Sequence, residues 1–393
     1  MMSHSRSPAT PSILARLGAS RIAHGDLGFL PVVFGLVVIA LVFYNLTPVF
    51  LTPRNASNLV LQLGPLALLT MGMVLVLLIG EIDLSAGSVA GCAAVVLVVL
   101  LTRYGWPAVG AIPAALLFGC LAGLIQGSWV VFVRAPSFIV TLTGLLVFQG
   151  LQFLLLGEEV GALLIYDPFV KGIASTYMPH WLAWCFVGLT AIIALAAALT
   201  APARNARRLL RLLLFPLVAA AIVAVLNLYF GVPYLLLLVI AVALALTLLT
   251  EHSLFGVHLL AVGGNAEAAR RAGINVSNVR IRVFALCSTL AALAGIVAAS
   301  RQYSVDSATG GGNLVLDSIA AAVIGGTSLF GGRGRIVGGL LGAVVIGSVS
   351  NGLDLLGQPA HIKTIITGLI LLAAVSVDML ARRRRISSGA AGA

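Results

Sequence analysis

The chain has 393 residues, 60% of them apolar and 9% charged, with a net charge of +11 and a mean hydropathy of +1.12. A soluble domain carries about 25% charged residues. This composition therefore excludes a water-covered globule, and the apolar runs have the roughly 17–25 residues of membrane-spanning helices. The basic excess does not point to nucleic acid, because the arginines cluster in the gaps between apolar runs without a stripe of interleaved aromatics.

In chain order, residues 1–26 form a polar tail, and the run 27–50 that follows is too long for a signal-peptide core. Apolar segments then recur at about 58–80, 86–102, 107–133, 137–156, 181–200, 212–230, 233–250, 281–300, 315–330, 336–356 and 361–380, before a basic tail at 381–393. The predicted fold is an all-α polytopic membrane protein with about 10–12 transmembrane helices in one transmembrane domain, 27–380. Segments 86–102 and 315–330 are short and glycine-broken, so each is a candidate half-helix or re-entrant element. The region 181–232 reads as an extra helix pair on a ten-helix core.

Charge placement tests the count. With the N-terminus inside and twelve crossings, the inner gaps hold eighteen of the 23 basic residues, from Arg6 through Arg134, Arg204, Arg270, Arg271, Arg280, Arg282, Arg333 and Arg335 to Arg382–Arg385. The outer gaps hold Arg54, Arg103, Lys171, Arg301 and Lys363. Both termini are therefore expected in the cytoplasm. The longest outer gap, about 157–180, carries Glu158, Glu159 and Asp167.

No catalytic residue is predicted. HExxH, a GxSxG with a plausible triad and paired His/Cys spacing are all missing, and His252 and His258 are six apart at a membrane edge. Cys92, Cys120, Cys185 and Cys287 lie within apolar runs and read as packing residues, with no metal site. The run Gly325–Gly342 lacks GxxxxGK[ST]. Its Gly334, Gly338 and Gly342, four apart, are expected to form one helix-packing face.

One hydrophilic stretch, Gly264 to Arg282, interrupts the oil. Asn265 is an N-cap type, Glu267 falls in a first turn, Arg270 and Arg271 in a last, and Gly273 at a stop. These predict a helix over Ala266–Ala272 inside a cytoplasmic segment at about 251–280. A solvated interfacial helix and a docking site for a partner are both open. Elsewhere, Gln62, Gln126, Gln149, Gln152, Asn227 and Asn351 are amides within apolar segments, for which interhelical hydrogen bonds and a polar solute path compete. Glu81, Asp83 and Ser85 stand before the third segment. Asp83 is a helix cap, a path or gate residue, or the ion site of a secondary transporter. Asp317, Asp354 and Asp378 are expected at solvated helix ends.

The stretch "NAEAARRAGINV" resembles the cytoplasmic coupling segment of bacterial sugar ABC importer permeases of the ribose, galactose and xylose type. Glu267-Ala268-Ala269, three residues, then Gly273 fits the EAA–x3–G core of such permeases, although the later Ile-x-Leu-Pro is absent. "EIDLSAGS" at 81–88, "APSFIVTLTGLLVFQG" at 135–150 and "LDSIAAAVIGGTSLFGG" at 316–332 carry the same resemblance. The D-xylose branch is the most similar, through Glu81 before "IDLS" and the extra segment ending "LNLYFGVP". The resemblance implies a bacterial inner-membrane permease working as a homodimer. It implies a separate cytoplasmic ATPase subunit that binds ATP-Mg and grips the 265–273 segment. It further implies a periplasmic sugar-binding protein that delivers D-xylose or another neutral pentose. Path candidates are Glu81, Asp83, Ser85, Gln126, Gln149 and Asn351. An ion-coupled sugar symporter without an ATPase is the alternative, and a membrane scaffold without transport a third.

Overall fold

The computed structural model describes residues 30–157, 161–199 and 206–390. The tail 1–26, Glu158, Glu159, Arg204 and residues 391–393 lie outside these, as does the side chain of Asp378. Helix α1 (Leu30–Leu46) and a 3-10 turn (Pro48–Leu51) lead into α2 (Pro53–Leu78), α3 (Ala86–Thr102), α4 (Ala108–Ser128) with a π-helical extension (Trp129–Val133), and α5 (Ser137–Leu156). Next come α6 (Pro168–Ser175), α7 (His180–Leu199), α8 (Ala206–Asn227), α9 (Tyr234–Glu251), α10 (Leu254–Gly264), α11 (Ala266–Arg271) and α12 (Val276–Gln302). The chain closes with α13 (Leu314–Ile324), α14 (Ile336–Leu355) and α15 (Ala360–Ala390). Among the described residues the strands are β1 (Leu163–Leu164) and β2 (Ser304–Val305), antiparallel with Leu163 opposite Val305. Among the described residues each of the twelve predicted segments overlaps one helix, and seven helices are long and apolar enough to span a membrane. This is a multi-pass integral membrane protein, all-α.

Helices α2 and α12 form its centre, buried along most of their length. Thr52 starts α2, accepting Asn55 N–H, with Pro53 behind it where the missing N–H costs nothing. Around α12 the backbones approach closely because small residues face one another. Gly119, Gly123 and Gly127 of α4 lie on Ser288, Phe284 and Ile281, Gly72 of α2 on Cys287, and Gly295 on Ala90 of α3. That is the small-xxx-small rule of membrane packing, on a stripe, "GCLAGLIQG", to which the sequence analysis assigns no role. The glycines it does single out are only partly on a helix. Gly338 meets the Gly325 carbonyl and Gly342 the Ala321 carbonyl, closing α14 onto α13. Gly334 is a correction: it precedes α14, at φ +156, against the Thr327 side chain.

Both short helices follow or precede a break. Helix α13 has 11 residues, about 16 Å at 1.5 Å each, roughly half a hydrocarbon core. Residues 79–85 run non-helically up to α3, and 303–313 run non-helically down to α13. The second break packs on the first turns of α3, since Gly87 and Gly91 lie on Gly310 and Thr309. Non-helical backbone between membrane helices needs protein partners, and α5 supplies partners to both stretches. Thr141 donates to Ile82 O at 3.2 Å, and Gln152 Nε2 donates to Asp306 O and Thr309 O, each at 3.0 Å.

Candidate functional site

The polar patch folds into a capped helix. Asn265 Oδ1 accepts Glu267 N–H at 3.1 Å and Ala268 N–H at 2.9 Å, as its residue type requires. At the other end Gly273 takes φ +85, Ile274 N–H reaches Ala269 O at 3.0 Å and Gly273 N–H reaches Arg270 O at 3.0 Å. This is a Schellman stop. Ala269 is buried, so the helix has a seat, while Glu267 pairs with Arg270 at 3.1 Å and Arg271 at 3.3 Å, all three side chains exposed. Exposed pairs of this kind contribute about 0–1 kcal/mol, so fold stability does not account for the charges. Arg280 leaves the patch and turns inward to Glu81 Oε1 at 3.1 Å, with both side chains largely covered.

Directly behind α11, the end of α10 is wedged between the start of the 79–85 break and the 325–335 return. Gly263 abuts the Leu78 carbonyl and Gly332 N, Gly331 abuts Gly80 N and Gly263 O, and Gly332 N–H donates to Leu78 O at 2.9 Å. Side chains at Gly263 or Gly331 would push the strands of backbone apart. The arrangement makes α10, the 79–85 break and the 325–335 return one mechanical joint, braced by Glu81–Arg280.

Asp83, Ser85 and Gln126 are brought together and buried between α3, α4 and α12. Asp83 Oδ1 accepts the Ser85 N–H at 2.9 Å and hydroxyl at 2.6 Å, and Ser85 Oγ lies 2.9 Å from Gln126 Oε1. One hydroxyl proton cannot serve two acceptors; a turned Gln126 amide lets its NH2 donate to Ser85. Asp83 thus closes a turn onto Ser85, the N-cap of α3, while its second carboxylate oxygen is buried without a partner among the described residues. Gln149 lies apart, exposed on α5.

On the face opposite α11, about 40 Å away along the 27 residues of α12, a second polar network adjoins a cavity through Gln62. Asn351 and Asn55 exchange amide bonds at 2.8 and 3.1 Å, Asn351 Nδ2 also donates to Gln62 Oε1 at 3.2 Å, and Gln62 Nε2 donates to Asp354 Oδ2 at 3.0 Å. Lys363 pairs with Asp354. The cavity, about 260 Å³, is lined by Gln62, Arg301, Gln302, Asp306 and Thr309 over Leu66 and Leu314. Arg301, Gln302 and Asp306 escape sequence reasoning because they follow the apolar run; the signal is the polar-and-glycine stretch "RQYSVDSATGGG". Asp354 is solvated as expected, but Asp317 is a correction. It sits in the first turn of α13, half-buried against Thr367 of α15, with Oδ1 unpartnered. Asn227 is half-buried, its amide atoms covered and unpartnered among the described residues. No group of three or more His, Cys, Asp or Glu there could hold a metal.

Residues 55–375 match the family described as branched-chain amino acid transport system / permease component. The xylose transport system permease protein XylH of Escherichia coli (strain K12) is 35% identical over 367 residues, covering 90% of this chain and 92% of its own length. XylH of Haemophilus influenzae is 34% identical, covering 84% and 90%. The ribose import permease protein RbsC of E. coli (strain K12) is 33% identical, covering 87% and 91%. No solved structure matches the chain.

Proposed function

The chain belongs to the branched-chain amino acid transport system / permease component family, and from that premise we propose that it is the membrane subunit of an ATP-driven importer of a neutral monosaccharide, D-xylose or another pentose. As a permease it is a transport subunit, not an enzyme. ATP-Mg binding and hydrolysis belong to a separate cytoplasmic ATPase, and a periplasmic sugar-binding protein delivers the solute. The names of the relatives and the extra pair α7–α8 support the xylose assignment over ribose.

The observation that carries the proposal is the joint between α10–α11, the 79–85 break and the 325–335 return. ATPase docking on Glu267, Arg270 and Arg271 would move the α11 unit. Gly263 would then carry that motion to residues 79–85 and 325–335, and so to the ends of α3 and α13. The two permease states must present α11 differently for the partner to drive them. We place this unit in the cytoplasm and the chain in the bacterial inner membrane, with both termini inside. A second copy would complete the path, and the exposed mid-span amide of Gln149, costly against lipid, supports a protein or water neighbour on that face of α5.

The test is Glu267→Lys in the reconstituted complex. The protein should insert normally and ATP hydrolysis should continue, while sugar uptake falls about tenfold or more, within the usual span of coupling energies. Wild-type uptake would remove α11 from the mechanism. A second reading, an ion-coupled symporter without an ATPase, is favoured by Asp317, since intramembrane acids mark ion pathways. It predicts uptake abolished by an ionophore and indifferent to ATP.

A further inference from the structure

We infer that the cavity between α2, α12 and the 306–311 segment is a receiving site for a neutral polyhydroxylated solute, filled from the face opposite α11. This rests on the permease reading above and adds where within one chain the solute first binds.

Its polar groups are present but uncommitted. Arg301 makes no hydrogen bond or salt bridge among the described residues, although the charge of Asp354 acts on it. Asp306 Oδ1 is occupied by Ala308 N–H at 3.0 Å and the Thr309 hydroxyl at 2.8 Å, which leaves its second oxygen facing no described donor. Gln62 is held in place through Asn351 and Asp354 yet keeps one N–H. A guanidinium, a carboxylate oxygen and amides around one space offer the adjacent donors and acceptors that neighbouring hydroxyls require.

Charge and shape narrow the ligand class. Arg301 opposes Asp306 in the lining and the adjoining Lys363–Asp354 pair balances itself, so the site has no excess field to select an anion or a cation. Leu66 and Leu314 give an apolar patch for the C–H face of a sugar ring. The volume, about 260 Å³, is just under the roughly 300–1,000 Å³ of drug-sized pockets and suits one small solute. The floor is the thin backbone at Gly310, where a side chain would strike Gly91 N and Gly87 O. A bound solute would therefore rest on the contact between the two broken elements.

The experiment uses the full chain in lipid nanodiscs, with Cys120 and Cys185 replaced by serine and Gln302→Cys labelled by a membrane-impermeant maleimide. D-xylose at ten times its half-protecting concentration should slow labelling about tenfold by simple occupancy. The same sugar should leave Arg54→Cys labelling unchanged. Adding Arg301→Ala should remove the protection without preventing the labelling. If D-xylose slows nothing while the same variant still supports sugar uptake, the site is overturned and the permease reading stands. If leucine protects and no neutral sugar does, both are overturned.

Discussion

At the position of Gly263 there is no room for a methyl group, because the Leu78 carbonyl and Gly332 N already occupy it. One residue along, Gly264 has nothing within 4 Å of the same construction. Gly263→Ala is expected to destabilise the protein by about 1–3 kcal/mol, the usual cost of overpacking. Gly264→Ala should stay within about 0.5 kcal/mol. Thermal unfolding of the purified variants in detergent separates the two, and equal behaviour would dismiss the joint. The same local view explains Glu81, whose carboxylate answers the one arginine of the patch that turns inward.

Among the elements, α11 is the one whose stability depends most visibly on its ends. Six residues are marginal as an isolated helix, and here the cap, the Schellman stop and the seat of Ala269 hold it. Asn265→Ala removes two accepted bonds and should cost about 1 kcal/mol. Hydrogen exchange at residues 267–272 should then quicken about fivefold, with Asn265→Ser largely restoring protection. Unchanged exchange would show that packing, not the cap, orders the helix. Helix α4 shows the converse case. Its glycine stripe adds little local stability but lets α12 come close enough to bury most of its surface.

In the whole molecule, the extra pair α7–α8 behaves as an insertion whose ends meet. Tyr177 bridges Pro233, Met178 N–H donates to Val232 O at 2.8 Å, and Tyr234 N–H to Thr176 O at 3.1 Å. A small apolar cluster around Met178, Ala183, Leu226 and Val232 joins it to Val60 and Leu236 of the core. Replacing residues 180–230 by a linker of about four residues should leave a protein that inserts, with Arg271→Cys and Gln302→Cys labelled from opposite sides as before. Failure to insert, or labelling of both from one side, would show the pair to be part of the core.

Composition and period alone determined the membrane class, the twelve helical segments, the two short ones and the capped helix with its stop. These rest on contacts within a few residues, or on the length of an apolar run against the thickness of a bilayer. Gly334 fell outside its helix, Asp317 came to face α15, and α6 and α10 emerged unpredicted, because each depends on partners far along the chain. The tertiary structure likewise decided that Gly263, Gly80 and Gly331 converge, that α5 holds both breaks, and that Gln62, Arg301 and Asp306 share one cavity. The physical reason is that lipid requires buried backbone groups to find partners, and which groups pair across the bundle is set only when the helices pack.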